Sequence, residues 1–176
     1  MGSRRTSGIR AASAVLLVAA LGGCYTFQGG GGFPAHIRTL YVEPLEVDPT
    51  VTRVDLRQDL YNLLLDRVPR ALGVQSAGAE SAGAVLRVRI LRYNEVGLGA
   101  RQSRTDRQAV EVPENQIEIA VAVELVDVRE NLVLWDSRSV IGKGTYLRES
   151  QTEQEGQAQA LQNIVQLIID GAQSQW

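Results

Sequence analysis

From Asn115 to Asp127 the side chains alternate without a break, Ile117, Ile119, Val121, Val123 and Leu125 against Gln116, Glu118, Ala120, Ala122 and Glu124. A period of two sustained this long means a β-strand with one face in a core and the other facing water or a partner. That rules out a helical bundle, and it rules out a parallel sheet covered on both sides. Whatever else the chain does, it must build a sheet and bury only one of its faces.

The rest of the chain supplies the sheet's neighbours. His36 to Glu43 reads as a first strand stopped by Pro44, with Ile37, Thr39 and Tyr41 on one face and Arg38, Leu40 and Val42 on the other. Ala84 to Tyr93 alternates Leu86, Val88 and Ile90 against Arg87, Arg89, Leu91 and Tyr93, with Arg92 leaving from the face opposite the other two arginines. Leu132 to about Tyr146 is a fourth strand holding Trp135, and residues 73–83 read as a small, polar turn region. Two helices are expected. The first follows the start signals Asp48-Pro49 and Thr52-x-x-Asp55, carries Leu56, Leu60, Leu63 and Leu64 as its apolar stripe, and ends near Val68 before Pro69. The second opens on Ser150-x-x-Glu153 as a capping box and carries Ala158, Leu161, Val165, Ile168 and Ala172. The order β-α-β-β-β-α predicts an α+β fold, a four-stranded mixed sheet with two helices packed on one face.

The N-terminus reads as an address. Arg4, Arg5 and Arg10 precede an apolar run from Ala11 to Leu21, then Leu21-Gly22-Gly23-Cys24. The run is too short to span a bilayer, which takes about 20 residues, and suits a secretory signal segment. The small pair before Cys24 resembles a bacterial lipobox, in which cleavage before the Cys leaves its thiol to carry a diacylglycerol. Three acyl chains on one residue anchor a domain firmly, since each buried CH₂ is worth ~0.8 kcal/mol. Tyr25, where an inner-membrane retention signal would place Asp, favours the outer membrane. Gly29 to Gly32 cannot hold a helix and form a tether; its stretch from Tyr25 to Ala35 spans roughly 18 Å. The expected division is therefore residues 1–23 as signal peptide, 24–35 as lipidated tether and 36–176 as a single domain.

Composition limits the chemistry. The 18 basic residues less the three in the signal segment leave 15 against 20 acidic ones, so a generic nucleic-acid binder is excluded. One Cys and one His leave no disulfide, no Cys-based zinc cluster and no catalytic triad except one built on His36. His36 reads as an ordinary histidine at a strand start. Glu118 and Glu124 share a strand face but stand about 20 Å apart, too far to flank one bond. Gly142-Lys143-Gly144-Thr145 lacks the upstream glycine of a phosphate loop. No enzyme, metal or cofactor is expected.

All but one of the basic residues are arginines, and Lys143 is the exception. Arg87 and Arg89 share a face, and Arg101, Arg104 and Arg107 lie in the long polar connection 97–114. Guanidinium forks suit phosphates and carboxylates. These five are the candidate lipid- or partner-binding residues. The alternative is a solvated face, or arginines paired within the chain to acids such as Glu95, Asp106, Glu111 and Glu118.

The lipobox, the run Cys24-Tyr25-Thr26-Phe27-Gln28-Gly29, the element order and Val133-Leu134-Trp135 after a turn together resemble the LPS-assembly lipoprotein family LptE. Members commonly begin Cys, Gly, Tyr, any residue, Phe or Leu, any residue, Gly; here the Gly after Cys24 is missing and a glycine run follows instead. The junction into the first helix, Asp48 to Arg53, departs from the family's Asn-Arg/Thr type. The resemblance implies a lipid-anchored protein on the periplasmic face of the outer membrane. Such a protein plugs the LptD-type β-barrel and helps it insert lipopolysaccharide into the outer leaflet. A subunit of another envelope machine, an ABC-type lipid-transport auxiliary protein or a peptidoglycan-synthase activator, can share the layout. A neighbouring gene for a large barrel rather than a permease or synthase would separate the readings.

Overall fold

The computed structural model describes residues 33–98 and 114–174. Three long strands dominate: β4 (Ala84–Leu98), β5 (Glu114–Asp127) and β6 (Leu132–Leu147), paired antiparallel in sequence order. Before them come β1 (Thr39–Val42), β2 (Glu46–Val47), helix α1 (Val54–Leu72) and β3 (Gln75–Ser76). Helix α2 (Glu153–Gln173) ends the described chain. The sheet has the order β3-β1-β4-β5-β6, with β2 also pairing β4. β1 and β2 run parallel to β4, and β3 runs parallel to β1.

The expected α+β class and the two helices are present, but the sheet has six strands, not four. The two additions, β2 and β3, are two residues each. Pro44 ends β1, yet two residues later Glu46 and Val47 align with Arg89 and Ile90. Gln75 and Ser76, inside the expected turn region, align with Thr39 and Leu40. Such short segments are specified by the neighbour they pair with, not by their own periodicity.

α1 starts later and ends later than expected. The Asp48 carboxylate accepts from the Thr50 N–H at 3.0 Å and the Thr50 hydroxyl at 2.8 Å. Asp48 thereby closes a turn instead of capping the helix. At the other end the helix runs through Pro69 and stops at Gly73, whose left-handed φ of 70° lets its N–H and that of Val74 reach the last carbonyls. The α2 cap is two residues beyond the expected one: the Leu147 carbonyl takes the N–H of Ser150 and of Gln151. That leaves Thr152 extended, and it forms the capping box with Glu155. Ala158, expected in the buried stripe, is exposed; Gly156, Gln157 and Ala160 are buried in its place.

Both helices lie on one face of the sheet. Leu56, Leu60, Leu64 and Val68 of α1 and Leu161, Ile164, Val165 and Ile168 of α2 meet Leu86, Ile90, Ile117, Ile119, Val121 and Leu125 in one core. α2 approaches β6 so closely that a Cβ at Gly144 would stand 2.0 Å from the Gly156 carbonyl oxygen. From that position α2 also seals the sheet edge. Gln159 accepts from the Thr145 N–H at 2.8 Å and Asn163 from the Lys143 N–H at 3.4 Å, while Gln151, just before the helix, takes the Leu147 N–H at 2.8 Å. Unpaired edge amides invite strand addition, and this half of β6 offers none of those three. No helix among the described residues is long and apolar enough to cross a membrane.

Candidate interaction face

The face away from the helices is built by the even-numbered residues of β5 and by whatever stands opposite them. Val85, Arg87 and Arg89 of β4 pair with Val126, Glu124 and Ala122. Between Ile90 and Arg92 the register slips by one residue, a bulge that places Arg92 opposite Ala120 and Asn94 opposite Glu118. Arg92 is therefore on the same face as Arg87 and Arg89, not the opposite one. The same slip turns Tyr93 toward the helices, where its hydroxyl bonds Glu153 at 2.7 Å and Arg53 lies 5.1 Å above its ring. Nothing in the local sequence marks this bulge, because a strict alternation can be read through it in either phase.

Ion pairs cover much of the open face. Arg87 donates through Nε to Glu43 and through Nη1 to Glu124, each at 2.9 Å. Lys143 pairs with Glu118 at 2.8 Å, which holds the Glu118 carboxyl below its ordinary range. Arg89 is held more loosely, 3.9 Å from both Glu46 and Asp48. A second irregularity in β6 sets Arg138 between Ser137, opposite Val123, and Val140, opposite Val121. Arg138 is exposed, and no described residue forms an ion pair with it. A groove of about 400 Å³ runs across this region, lined by Glu43, Glu46, Arg87, Arg89, Ala122 and Arg138, among others. The small Ala122 forms its floor, and Arg89 and Arg138 flank it from the two neighbouring strands, roughly 10 Å apart at ~4.8 Å per strand. Of the two arginines expected here, Arg87 is occupied by acids of its own chain and Arg89 is not fully so. Arg138 was missed because its strand alternates poorly. Cys24, Arg101, Arg104 and Arg107 lie outside the described residues.

Two polar clusters lie off the open face. Near the far end of β4 the Glu95 carboxylate accepts from the Tyr146 hydroxyl and the Asn115 amide, and these bonds lower its pKa. At the other end His36 bonds the buried Asp127 at 2.5 Å. Burial alone would raise the Asp127 pKa; the His36 bond and the N–H groups of Glu130 and Arg129 outweigh it and bring it below the ordinary value. His36, Asp127 and Glu130 bring one ligand atom each within 4.8 Å of one another, the spacing of a three-ligand metal site. Both Asp127 oxygens are already engaged by protein donors, so the group reads as a clasp that fixes the start of β1 to the β5–β6 turn.

The arrangement defines a helix-backed sheet domain whose open face is polar and of mixed charge. The profile of the lipopolysaccharide-assembly family LptE matches residues 37–171, and the chain belongs to that family. None of the curated proteins matches the sequence. Among solved structures, a neuraminyllactose-binding hemagglutinin homolog from Helicobacter pylori shares the fold at a TM-score of 0.51 and 14% identity, over 83% of this chain and 88% of that one. A hypothetical protein from Chlamydia trachomatis gives a TM-score of 0.49 at 12% identity, over 77% of this chain and 98% of that one. A minor lipoprotein from Acinetobacter baumannii gives 0.47 at 16% identity, over 79% and 94%.

Proposed function

We propose that this protein is a lipoprotein of the outer membrane, anchored on the periplasmic side through Cys24, that plugs an LptD-type β-barrel and assists it in delivering lipopolysaccharide to the outer leaflet. The observation that carries the reading is the family match, which spans nearly the whole described domain. The open face is consistent with it. A plug in a water-filled barrel needs a surface that exchanges hydrogen bonds with a polar wall, and a sheet lined with Arg87, Arg89, Arg92, Glu118, Glu124 and Lys143 offers one. Arg89 and Arg138 are the side chains best placed to take an anionic group from lipid or barrel, because their own-chain partners are distant or absent among the described residues. Arg101, Arg104 and Arg107 remain proposed contributors from the connection that follows β4.

The direct test is affinity purification of the full chain from detergent-solubilised outer membranes. A large β-barrel should co-purify with it. Recovery of a permease or a peptidoglycan synthase instead would reject the plug reading. Intact mass of the membrane-extracted protein should begin at Cys24 and exceed the peptide mass by acyl chains.

A further inference from the structure

α2 closes only part of the β6 edge. Gln159, Asn163 and Gln151 take the N–H groups of Thr145, Lys143 and Leu147. Among the described residues, nothing takes an outward N–H between Leu132 and Ile141. Four of the eight exposed large apolar side chains lie along that stretch or over it: Leu132, Val133, Ile141 and Leu167. Leu167 follows Gln159 and Asn163 at four-residue spacing on the edge-facing side of α2, so an apolar group stands where the polar seal stops. Along the helix it falls between Ile164, close to Gly142, and Gly171, close to Trp135. That is level with the middle of the open stretch.

The open stretch is not a regular edge. Residues of β6 opposite even-numbered residues of β5 aim their N–H groups off the sheet, as Lys143 does opposite Glu118. The others are Ile141, Asp136 and Val133, opposite Ala120, Glu124 and Val126, with Arg138 in the bulge beside Ala122. Two register slips space Val133, Asp136, Arg138 and Ile141 three, two and three residues apart. A regular strand repeats its outward groups every two residues and cannot follow that spacing. A second β6 laid antiparallel about Ser137 follows it throughout. Val133 then stands opposite Ile141, and Asp136 opposite Arg138. Both charged side chains are exposed, and neither forms an ion pair among the described residues.

We propose that this stretch of β6 pairs with the same stretch of a second copy of the chain, antiparallel and two-fold about Ser137. The contact is isologous: each copy sets Asp136 against the partner's Arg138 and Val133 against the partner's Ile141, and the two Leu167 side chains meet over the axis. Bulges and edge charges turn away a foreign strand; another copy matches them. Under the plug reading this is the chain before it meets its barrel, but the pairing itself does not rest on that reading.

The test traps the pair in full chains extracted from membranes in detergent. Ser137 pairs inward with Val123, so across the axis it faces its own counterpart in a non-hydrogen-bonded pair, with Cα atoms about 4.5 Å apart and within disulfide reach. Ser137→Cys is oxidised and read as covalent dimer. Arg57→Cys, on the exposed side of α1, measures chance collision, and the unsubstituted chain measures Cys24, the only native cysteine. The expected result is a dimer yield several-fold above both. In the Ser137→Cys chain, Arg138→Glu or Asp136→Arg alone puts like charges opposite each other and should cut the yield several-fold. The two together reverse both partners and should restore it. A Ser137→Cys yield no higher than the controls, or yields indifferent to the charge swap, would overturn the pairing. The barrel purification tests the plug reading separately, so either can fail alone.

Discussion

On the side of the sheet that carries α1 and α2, Leu60, Leu64, Ile90, Ile117, Ile119 and Ile168 lose essentially all contact with solvent. On the other side the strands meet water through Arg87, Arg89, Arg92, Glu118 and Glu124, and only the small Ala120 is buried. The same three strands build both faces, so the difference lies in the alternate residues alone. One face is fixed by volume, where a single atom out of place is felt. The other is fixed by charge pairs on a wet surface, where most single changes are absorbed. A domain made this way can vary its open face with little effect on its stability.

Four changes should separate the faces, in falling order of effect. Leu60→Asp puts an unpaired carboxylate into the core and should cost about 4 kcal/mol or more; urea unfolding measures it, and near-normal stability would mean the α1 stripe is not core. Gly144→Val should cost about 2–3 kcal/mol, because its Cβ would meet the Gly156 oxygen and Ala160 nitrogen of α2. Gly78→Ala, with nothing within 4 Å of its Cβ, is the matched control and should stay within about 0.5 kcal/mol.

Acid should act next. Asp127, Glu95 and Glu118 all titrate lower in the folded chain than their ordinary values of 3.8, 4.5 and 4.5. Below those values the unfolded chain binds more protons than the folded one, so stability is full above them and is lost as pH falls toward the folded pKa values. Thermal melts from pH 6 downward should show that loss, and Asp127→Asn should flatten it. Apart from the Gly78→Ala control, the smallest effect belongs to Arg87→Ala. Its two ion pairs are on the surface, and the change should cost at most about 1 kcal/mol in the same urea assay.

The long strands and the α1 stripe were legible because each repeats its burial over many residues, as Ile117 to Leu125 does along β5. What was hidden depends on partners distant in sequence. Glu46-Val47 and Gln75-Ser76 become strands only because β4 and β1 pass beside them. Ser150-x-x-Glu153 and Thr152-x-x-Glu155 are overlapping capping boxes, and the choice is made by the turn closed on the Leu147 carbonyl. Of the expected contact residues, Arg87 and Arg89 were readable as a pair on one face. Arg92 and Arg138 were not, because one-residue slips decide where they point. The His36–Asp127 clasp spans 91 residues of sequence, and no local spacing announces it.

If the open face, and not the helix layer, makes the functional contact, charge reversals on the two sides should have different effects. The measurement is barrel co-purification and lipopolysaccharide capture by the full chain carrying Arg89→Glu with Arg138→Glu, beside Arg57→Glu with Arg67→Glu on the exposed side of α1. All four side chains are exposed, so the melting temperature of each double variant should stay near that of the parent. The open-face pair should lose one or both activities while the α1 pair keeps them. Full activity in the folded open-face variant would contradict it.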